Sequence, residues 1–396
     1  MANNRIYYPG QGLAIKANGG ALTWTTGHLV HGAQSASITT NFNLTPVREL
    51  GTITTYENVE GIPDVEFSAT KVLDGWPLMW HLSTTAATSP TLAGRSAARC
   101  DIGLAIYPET NDNASGTPIS LVALSGMYAN SLSYTFNADA SPFTEEVTWV
   151  GNDKVWTLTP GVASGTPGYG EDDVNYAGLP TLTWSAHMAR NDAPYATQGV
   201  QQTQDMKFDL PAGPLTGDTN GSVNHADVTV LPQEVQGVTT SGLKGSDTHV
   251  DSVRVSTSFN RENINELGRR GPYSRYINFP VDVTTEISLT SSSGDLVTAT
   301  TDGFLGTGAG TCNAGGTNVR NRTIRFATCD GTRIYLGTKN KLLSANYGGG
   351  DAGGGNVQVS YTYTNQNDFT VVQMNDPHAS GSAWWTLRNA LTYLKE

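Results

Sequence analysis

The chain has 396 residues, 38% of them hydrophobic and 15% charged, with 44 glycines. That length has room for two or three domains and a buried core in each half, and a composition rich in Thr, Ser, Val, Tyr and turn residues favours an all-β protein over a helical one. The net charge of −12 is uneven, with 10 basic and 23 acidic side chains up to residue 250 and 13 and 12 after it; an acidic chain repels phosphate backbones, which argues against tight nucleic-acid binding.

The three cysteines, Cys100, Cys312 and Cys329, make no disulfide framework. Cys312 and Cys329 have the option of pairing, but reduced, buried thiols are expected. The opening M-A-N-N-R-I-Y-Y-P-G lacks the apolar stretch of a signal peptide, which predicts a chain made and folded in a cytoplasm. No apolar run reaches membrane-spanning length.

In chain order, residues 1–34 are turn-rich and read as an arm or edge strand leading into the first alternating segment. Ala36, Ile38, Thr40 and Phe42 alternate as a strand with one buried face does. A long excursion follows, through Glu49-Leu50-Gly51 to Pro63, with no pattern of regular structure; ordered connections this long are usually functional. The chain returns as a strand over Val65, Phe67, Ala69 and Val72. Asp74-Gly75-Trp76-Pro77 predicts a short helix over Leu78-Met79-Trp80-His81-Leu82, with Asp74 as its cap and Pro77 in its first turn. Strands resume at Ile102, Leu104 and Ile106, and a final pair is connected by residues 137–143.

Residues from 157 to 215 carry Gly-Pro turns, the acidic trio Glu171-Asp172-Asp173 and one strand-like run, Leu182-Thr183-Trp184. They read as an insertion or surface excursion. Beyond them the chain repeats itself. Ser252 to Val283 echoes Ser35 to Val65, with a constant offset of 217 positions from Ser35 through Pro63. The offset pairs Phe42 with Phe259, Glu49-Leu50-Gly51 with Glu266-Leu267-Gly268, Tyr56 with Tyr273 and Pro63 with Pro280. At an offset of 215, Gly116-Thr117-Pro118-Ile119-Ser120-Leu121 matches Gly331-Thr332-Arg333-Ile334-Tyr335-Leu336, and Asn152-Asp153 matches Asn367-Asp368. A long-period repeat of this kind decides the fold reading. It predicts one domain used twice: a first domain with its N-terminal arm over 1–156, an insertion over 157–215, and a linker arm and second domain with a C-terminal tail over 216–396. Within the second copy, Ser293-Gly294-Asp295-Leu296 is a weaker helix signal. The tail from Ala383 to Leu394 has apolar residues at helical spacing.

No catalytic constellation stands out, and no cofactor is expected. His28 and His31 lie three apart without an acidic or cysteine partner nearby, and no CxxC or Cys/His spacing points to zinc. Glu49 and Glu266 occupy equivalent places in two copies of a repeat, so they do not face each other across a substrate as glycosidase carboxylates do. The run from Gly348 to Gly355 lacks the Lys-Ser/Thr of a phosphate loop and reads as a hairpin tip. Arg269, Arg270 and Arg275 can meet DNA phosphates or acidic residues of a neighbouring copy, and the acidity of the first half favours the second.

The segment F-N-R-E-N-I-N-E-L-G-R-R-G-P-Y-S-R-Y-I-N-F-P-V-D-V-T-T-E, Phe259 to Glu286, resembles the motif of major tail tube proteins of long-tailed bacteriophages. The segment from Gly331 to Tyr363 is similar to the later strands of those proteins. The first half keeps Phe42, Asn43, Glu49, Leu50, Gly51, Tyr56 and Pro63 but lacks the G-P-Y-S-R turn. The resemblance implies two tandem β-sandwich or small-barrel domains, each with a short helix, and no enzymatic activity. It implies stacked rings around a DNA channel, here as trimers with pseudo-six-fold symmetry, assembled in the host cytoplasm into a virion tail. It further implies partners among tape measure, tail terminator, baseplate or distal tail and sheath proteins, no membrane, and DNA passing without specific binding. A β-sandwich adhesin or fibre, or a capsid decoration protein, is the alternative.

Two expectations are specific to this chain. The two loops of matched length should make inter-subunit contacts through Glu49, Leu50, Gly51, Glu57, Glu60, Glu266, Leu267, Gly268, Arg269, Arg270 and Arg275. Opposite charges sit in the two copies, Arg269, Arg270 and Arg275 against Glu57, Glu60 and Asp64. An acidic channel lining should let DNA slide instead of stick.

Overall fold

The computed structural model describes residues 6, 8–17, 28–85, 91–109, 114, 118–152, 154–157, 199–209, 248–268, 272–291, 324–328, 330–337, 339–348, 358–373 and 376. The first half contains β1 (Gln11–Ala17), β2 (Ala33–Asn41), β3 (Leu44–Arg48), β4 (Thr55–Glu60) and β5 (Asp64–Val72). It continues with α1 (Met79–Ser83), α2 (Leu92–Ser96), β6 (Arg99–Ile106), β7 (Ser120–Asn137), β8 (Thr144–Gly151) and β9 (Val155–Thr157). The second half contains β10 (Met206–Asp209), β11 (Thr248–Ser258), β12 (Arg261–Ile264), β13 (Ser274–Ile277) and β14 (Asp282–Ser291). Then come β15 (Arg325–Thr328), β16 (Arg333–Tyr335), β17 (Lys341–Gly348), β18 (Gln358–Gln366) and β19 (Thr370–Val372). All pairings are antiparallel, as the turn-rich, alternating sequence requires.

The two halves repeat one plan. In the first, the strands run β7-β8-β5-β2 across one sheet; in the second they run β17-β18-β14-β11. A side sheet accompanies each, with β1 on β6, β6 on β7 and β7 on β9 in the first half, and the order β10-β15-β16-β19 in the second. In the first half the 18-residue β7 belongs to both sheets. It bends at Gly126, whose φ of +59° lies in the region that favours glycine. In the second half the same path is split into β16 and β17. Backbone geometry repeats too: Asn43 and Asn260 both take positive φ, 49° and 40°, at equivalent positions directly after Phe42 and Phe259.

Alternation places one side chain in two inside. Val65, Phe67 and Ala69 of β5, Val147 and Trp149 of β8, and Leu132, Tyr134 and Phe136 of β7 are buried, and Val253, Val255, Val283, Ile287, Tyr361 and Tyr363 continue the same cluster into the second half. One contiguous core therefore spans both copies. The helix α1 lies between them: Leu78 N donates to Gln373 Oε1 at 3.1 Å, and the His81 ring is 3.1 Å from Val371 O.

The N-terminal segment is an edge strand, as expected: β1 is largely buried and pairs with β6 from Gln11–Ile106 to Ala17–Cys100. Three sequence expectations change here. The alternating Ala36, Ile38, Thr40 and Phe42 do not make a buried face, since Ala36 and Phe42 are exposed and Ile38 is only partly buried at the end of the sheet path. The long excursions are two β-hairpins, β3–β4 and β12–β13; their strands escaped notice because both faces of β3 and β4 are exposed, so no alternation marks them. Asp74 does not cap α1. It accepts from Lys71 Nζ at 2.5 Å and from Trp76 N at 3.2 Å, while the carboxylate of Glu145 on β8 receives Met79 N at 2.7 Å and Trp80 N at 3.1 Å. The cap comes from a neighbouring strand, which local sequence does not reveal. The expected helix at Ser293 to Leu296, the tail from Ala383 to Leu394, the acidic trio, Leu182 to Trp184, Cys312 and Cys329 lie outside the described residues.

Candidate functional site

The main sheets of the two halves join edge to edge. β11 pairs with β7 from Ser252–Asn137 to Ser258–Ser131. This makes one path of eight strands, β17-β18-β14-β11-β7-β8-β5-β2. Because β11 is the equivalent of β2, and β17 of the later part of β7, the join is head to tail. The leading edge of one copy sits on the trailing edge of the other. The ends of the path, β2 and β17, repeat the two edges that meet in the middle, and among the described residues neither has a second strand neighbour.

Side chains lock this seam. Where β11 ends, Phe259 is fully buried and stacks on Trp80 of α1, 5.6 Å between centroids. Its amide donates to Asn130 O of β7. Arg261, at the start of the β12–β13 hairpin, lies over the Tyr128 ring at 4.9 Å. It donates through Nε to Ala129 O at 2.7 Å, through Nη2 to Ser96 O at 2.6 Å and through Nη1 to Arg275 O at 3.2 Å. Burial brings its pKa down to about 10. Arg275 on β13 donates through Nη2 to Asp64 Oδ1 at 2.7 Å and to Asn152 Oδ1 at 3.1 Å. The second hairpin is thus pinned onto the first half by two arginines.

The residues expected to make contacts fall into distinct places. Arg275 is buried and meets Asp64, a pairing of opposite charges between the two loops, but within one chain. Glu49, Leu50 and Gly51 form the exposed tip of the first hairpin, and Glu57 and Glu60 are exposed on β4. Glu266, Leu267 and Gly268 form the exposed tip of the second. Gly51 and Gly268 take φ of 104° and 87°, as the turns need. Arg269 and Arg270 lie outside the described residues. Unlike its counterpart, the first hairpin is exposed along its whole length and presents Leu44, Val47, Tyr56 and Val59. Phe42, the counterpart of Phe259, is 60% exposed.

Away from the core, the large sheet presents hydroxyls. One cross-strand row reads Ser35, Thr70, Glu146, Ser133, Ser256, Thr284, Thr364 and Lys341, each residue paired with the next. Glu66, Glu146, Glu286 and Arg254 carry exposed charges on this face.

Of the histidine pair, His31 is buried and stacks on Trp76 at 3.9 Å. Among the described residues no three His, Cys, Asp or Glu side chains converge as metal ligands, and no helix is long and apolar enough to cross a membrane. Sequence reasoning missed Arg261 and Glu145. For the first a signal existed. Aligning the copies puts Arg261 against Leu44, so a residue that anchors one hairpin is apolar in the other.

No family model matches the chain, and no curated protein does. Among solved structures, the chain is similar in part to the sheath–tube complex of the extracellular contractile injection system PVC in its extended state. The identity is 10%, over 40% of this chain and 95% of that one, with a TM-score of 0.28. A chain of the PVC sheath/tube terminator in the extended state matches at 13% identity over 40% and 99%, with a TM-score of 0.29. The anti-feeding prophage tube-terminating cap matches at 14% identity over 40% and 95%, with a TM-score of 0.28.

Proposed function

We propose that this protein is a non-enzymatic structural subunit of a phage tail tube, closing as a ring of three chains with pseudo-six-fold symmetry and stacking into a channel for DNA. One observation carries the reading: the head-to-tail β11–β7 seam, which leaves the same two edges at β2 and β17 without a second strand neighbour among the described residues. A heterologous contact of this kind propagates until it closes a ring or becomes a filament. Unpaired strand edges are templates for such pairing. If β17 of one chain meets β2 of the next as β7 meets β11, each chain supplies two of six equivalent positions and eight strands of the wall. The tail-tube resemblance of Phe259 to Glu286 supports the same assembly.

In this reading the hydroxyl-rich face lines the lumen, because the opposite face is core. Contacts of the two hairpin tips with neighbouring rings, including those of Glu49, Glu266, Arg269 and Arg270, belong to the proposal. So do a place in the virion tail and partners at the tube ends and around it. The test is electron microscopy of the purified protein. Rings of three chains with six similar lobes are expected; chains that remain single at all concentrations, or rings of six chains, overturn the reading.

A further inference from the structure

We propose that Phe42 and the β3–β4 hairpin are the coupling element between chains: Phe42 inserts into a second copy of this protein beside its β17 edge. The proposal rests on the ring reading above and adds to it which side chains make the inter-chain joint and of what chemistry.

Within one chain the same device is already seated. Where β11 meets β7, Phe259 is 0% exposed against Trp80, and the hairpin that follows lies on the neighbouring half. The backbone at Phe42 is built for the same insertion: the strand ends at the equivalent residue, and Asn43 repeats the positive φ of Asn260. Among the described residues no seat for it is present, since the edge equivalent to β7 lies at β17, at the far end of the sheet path from β2. Phe42 accordingly stands 60% exposed, with Leu44 at 58% beside it and Val47, Tyr56 and Val59 exposed along the hairpin. Exposed apolar side chains of this kind, set among charged ones such as Glu57 and Glu60 on the paired strand, mark a protein contact. A second copy fits it, because β17 is the one edge that repeats the edge on which Phe259 is seated.

The two joints differ in chemistry. At the offset of 217, Arg261 is replaced by Leu44 and Arg275 by Asn58. The joint inside the chain is held by guanidinium groups on carbonyls and a carboxylate; the joint between chains is apolar. The hairpin of the second half therefore cannot take the seat made for that of the first without burying two arginines away from Asp64 and the carbonyls, and such unpaired charges are strongly disfavoured. Like is kept from joining like, and the halves alternate around the ring.

The experiment compares wild type with Phe42→Ser. Phe42 is exposed in the single chain, so the variant should keep its circular dichroism spectrum and melting temperature. The concentration at which half the chains are in rings, read by sedimentation velocity, should rise at least tenfold. A photo-reactive phenylalanine analogue at position 42 should link two chains, attached in the second half of the acceptor. Wild-type rings with an unchanged assembly concentration for Phe42→Ser, or attachment of the cross-linker only within its own chain, overturn this inference and leave the ring reading standing. Wild-type chains that never associate overturn the ring reading itself.

Discussion

Arg261 is a cation placed where few are tolerated. Half-buried against Tyr128, it is held because each guanidinium nitrogen meets a carbonyl oxygen, those of Ala129, Ser96 and Arg275. Replacing it by methionine keeps the aliphatic stem and removes the donors, leaving these carbonyls without their charged partner. Hydrogen bonds to charged groups are worth about 1.5–3 kcal/mol each, and some of the lost bonds will be recovered by water. Arg261→Met should therefore lose about 2–3 kcal/mol of unfolding free energy, measured from urea midpoints at constant slope. Glu145 presents the opposite sign of charge. It accepts two α1 amides and the Tyr134 hydroxyl, yet burial dominates and raises its pKa above the ordinary 4.5. A carboxyl whose folded pKa is raised binds its proton more tightly folded than unfolded. Its contribution is then fully present below 4.5 and is lost as pH rises through the folded pKa. Stability of wild type relative to Glu145→Gln should fall as pH is raised from 4.5; a difference that grows over that range contradicts the assignment.

At the scale of elements, the seam and the two free edges are the same structure in two states of pairing. β7 and β11 have neighbours on both sides, whereas β2 and β17 have one each among the described residues. Amide hydrogen exchange should reflect this. In single chains the outward amides of β2 should exchange close to the rate of an open strand, and those of β11 only through larger opening. On assembly, β2 and β17 should both slow by at least tenfold, while β11 and β7 change little. Protection confined to the hairpin tips would instead place the contact between chains away from the strand edges. The hairpins divide the labour differently: β12–β13 is anchored on the first half by Arg261 and Arg275 while Ile264 and Tyr276 stay exposed, and β3–β4 has neither arginine.

For the whole molecule, the wall and the charge belong together. The face of the eight-stranded path away from the core carries hydroxyls, with exposed Glu66, Glu146 and Glu286 against Arg254 and Lys341. If that face lines a channel, passing DNA meets short polar groups and repulsive charge, with neither the basic groove nor the stacking aromatics of a single-strand binder. Assembled wild-type tubes should not be retained on DNA at about 0.15 M salt, a condition that leaves binding by several phosphate contacts measurable. Glu146→Lys with Glu286→Lys should create retention in a filter-binding assay that weakens steeply with added salt. Wild-type binding with that same salt dependence would remove the reading of an inert lining.

The duplication was legible in the sequence because equivalent backbone demands leave equivalent residues. Phe42 and Phe259 end matched strands, Gly51 and Gly268 take the positive φ of matched turns, and alternation at Val253 and Val255 marks the buried face, whereas the same alternation on β2 leaves Ile38 only partly buried. These are local constraints, set by sterics and by one-sided burial within a few residues. What the repeat does could not be read in that way. Phe42 and Phe259 are the same residue in the same motif, and only the position of the neighbouring edge makes one a buried plug and the other an exposed one. Glu145 caps α1 across 66 positions of sequence, and Arg275 meets Asp64 across 211. Strand order and the pairing of β11 with β7 depend on which edges are brought together at long range, a choice made by tertiary packing of the shared core. The sequence by itself determined that one strand motif occurs twice; only the tertiary structure decided that the copies join head to tail, because that choice is made between edges distant in the chain.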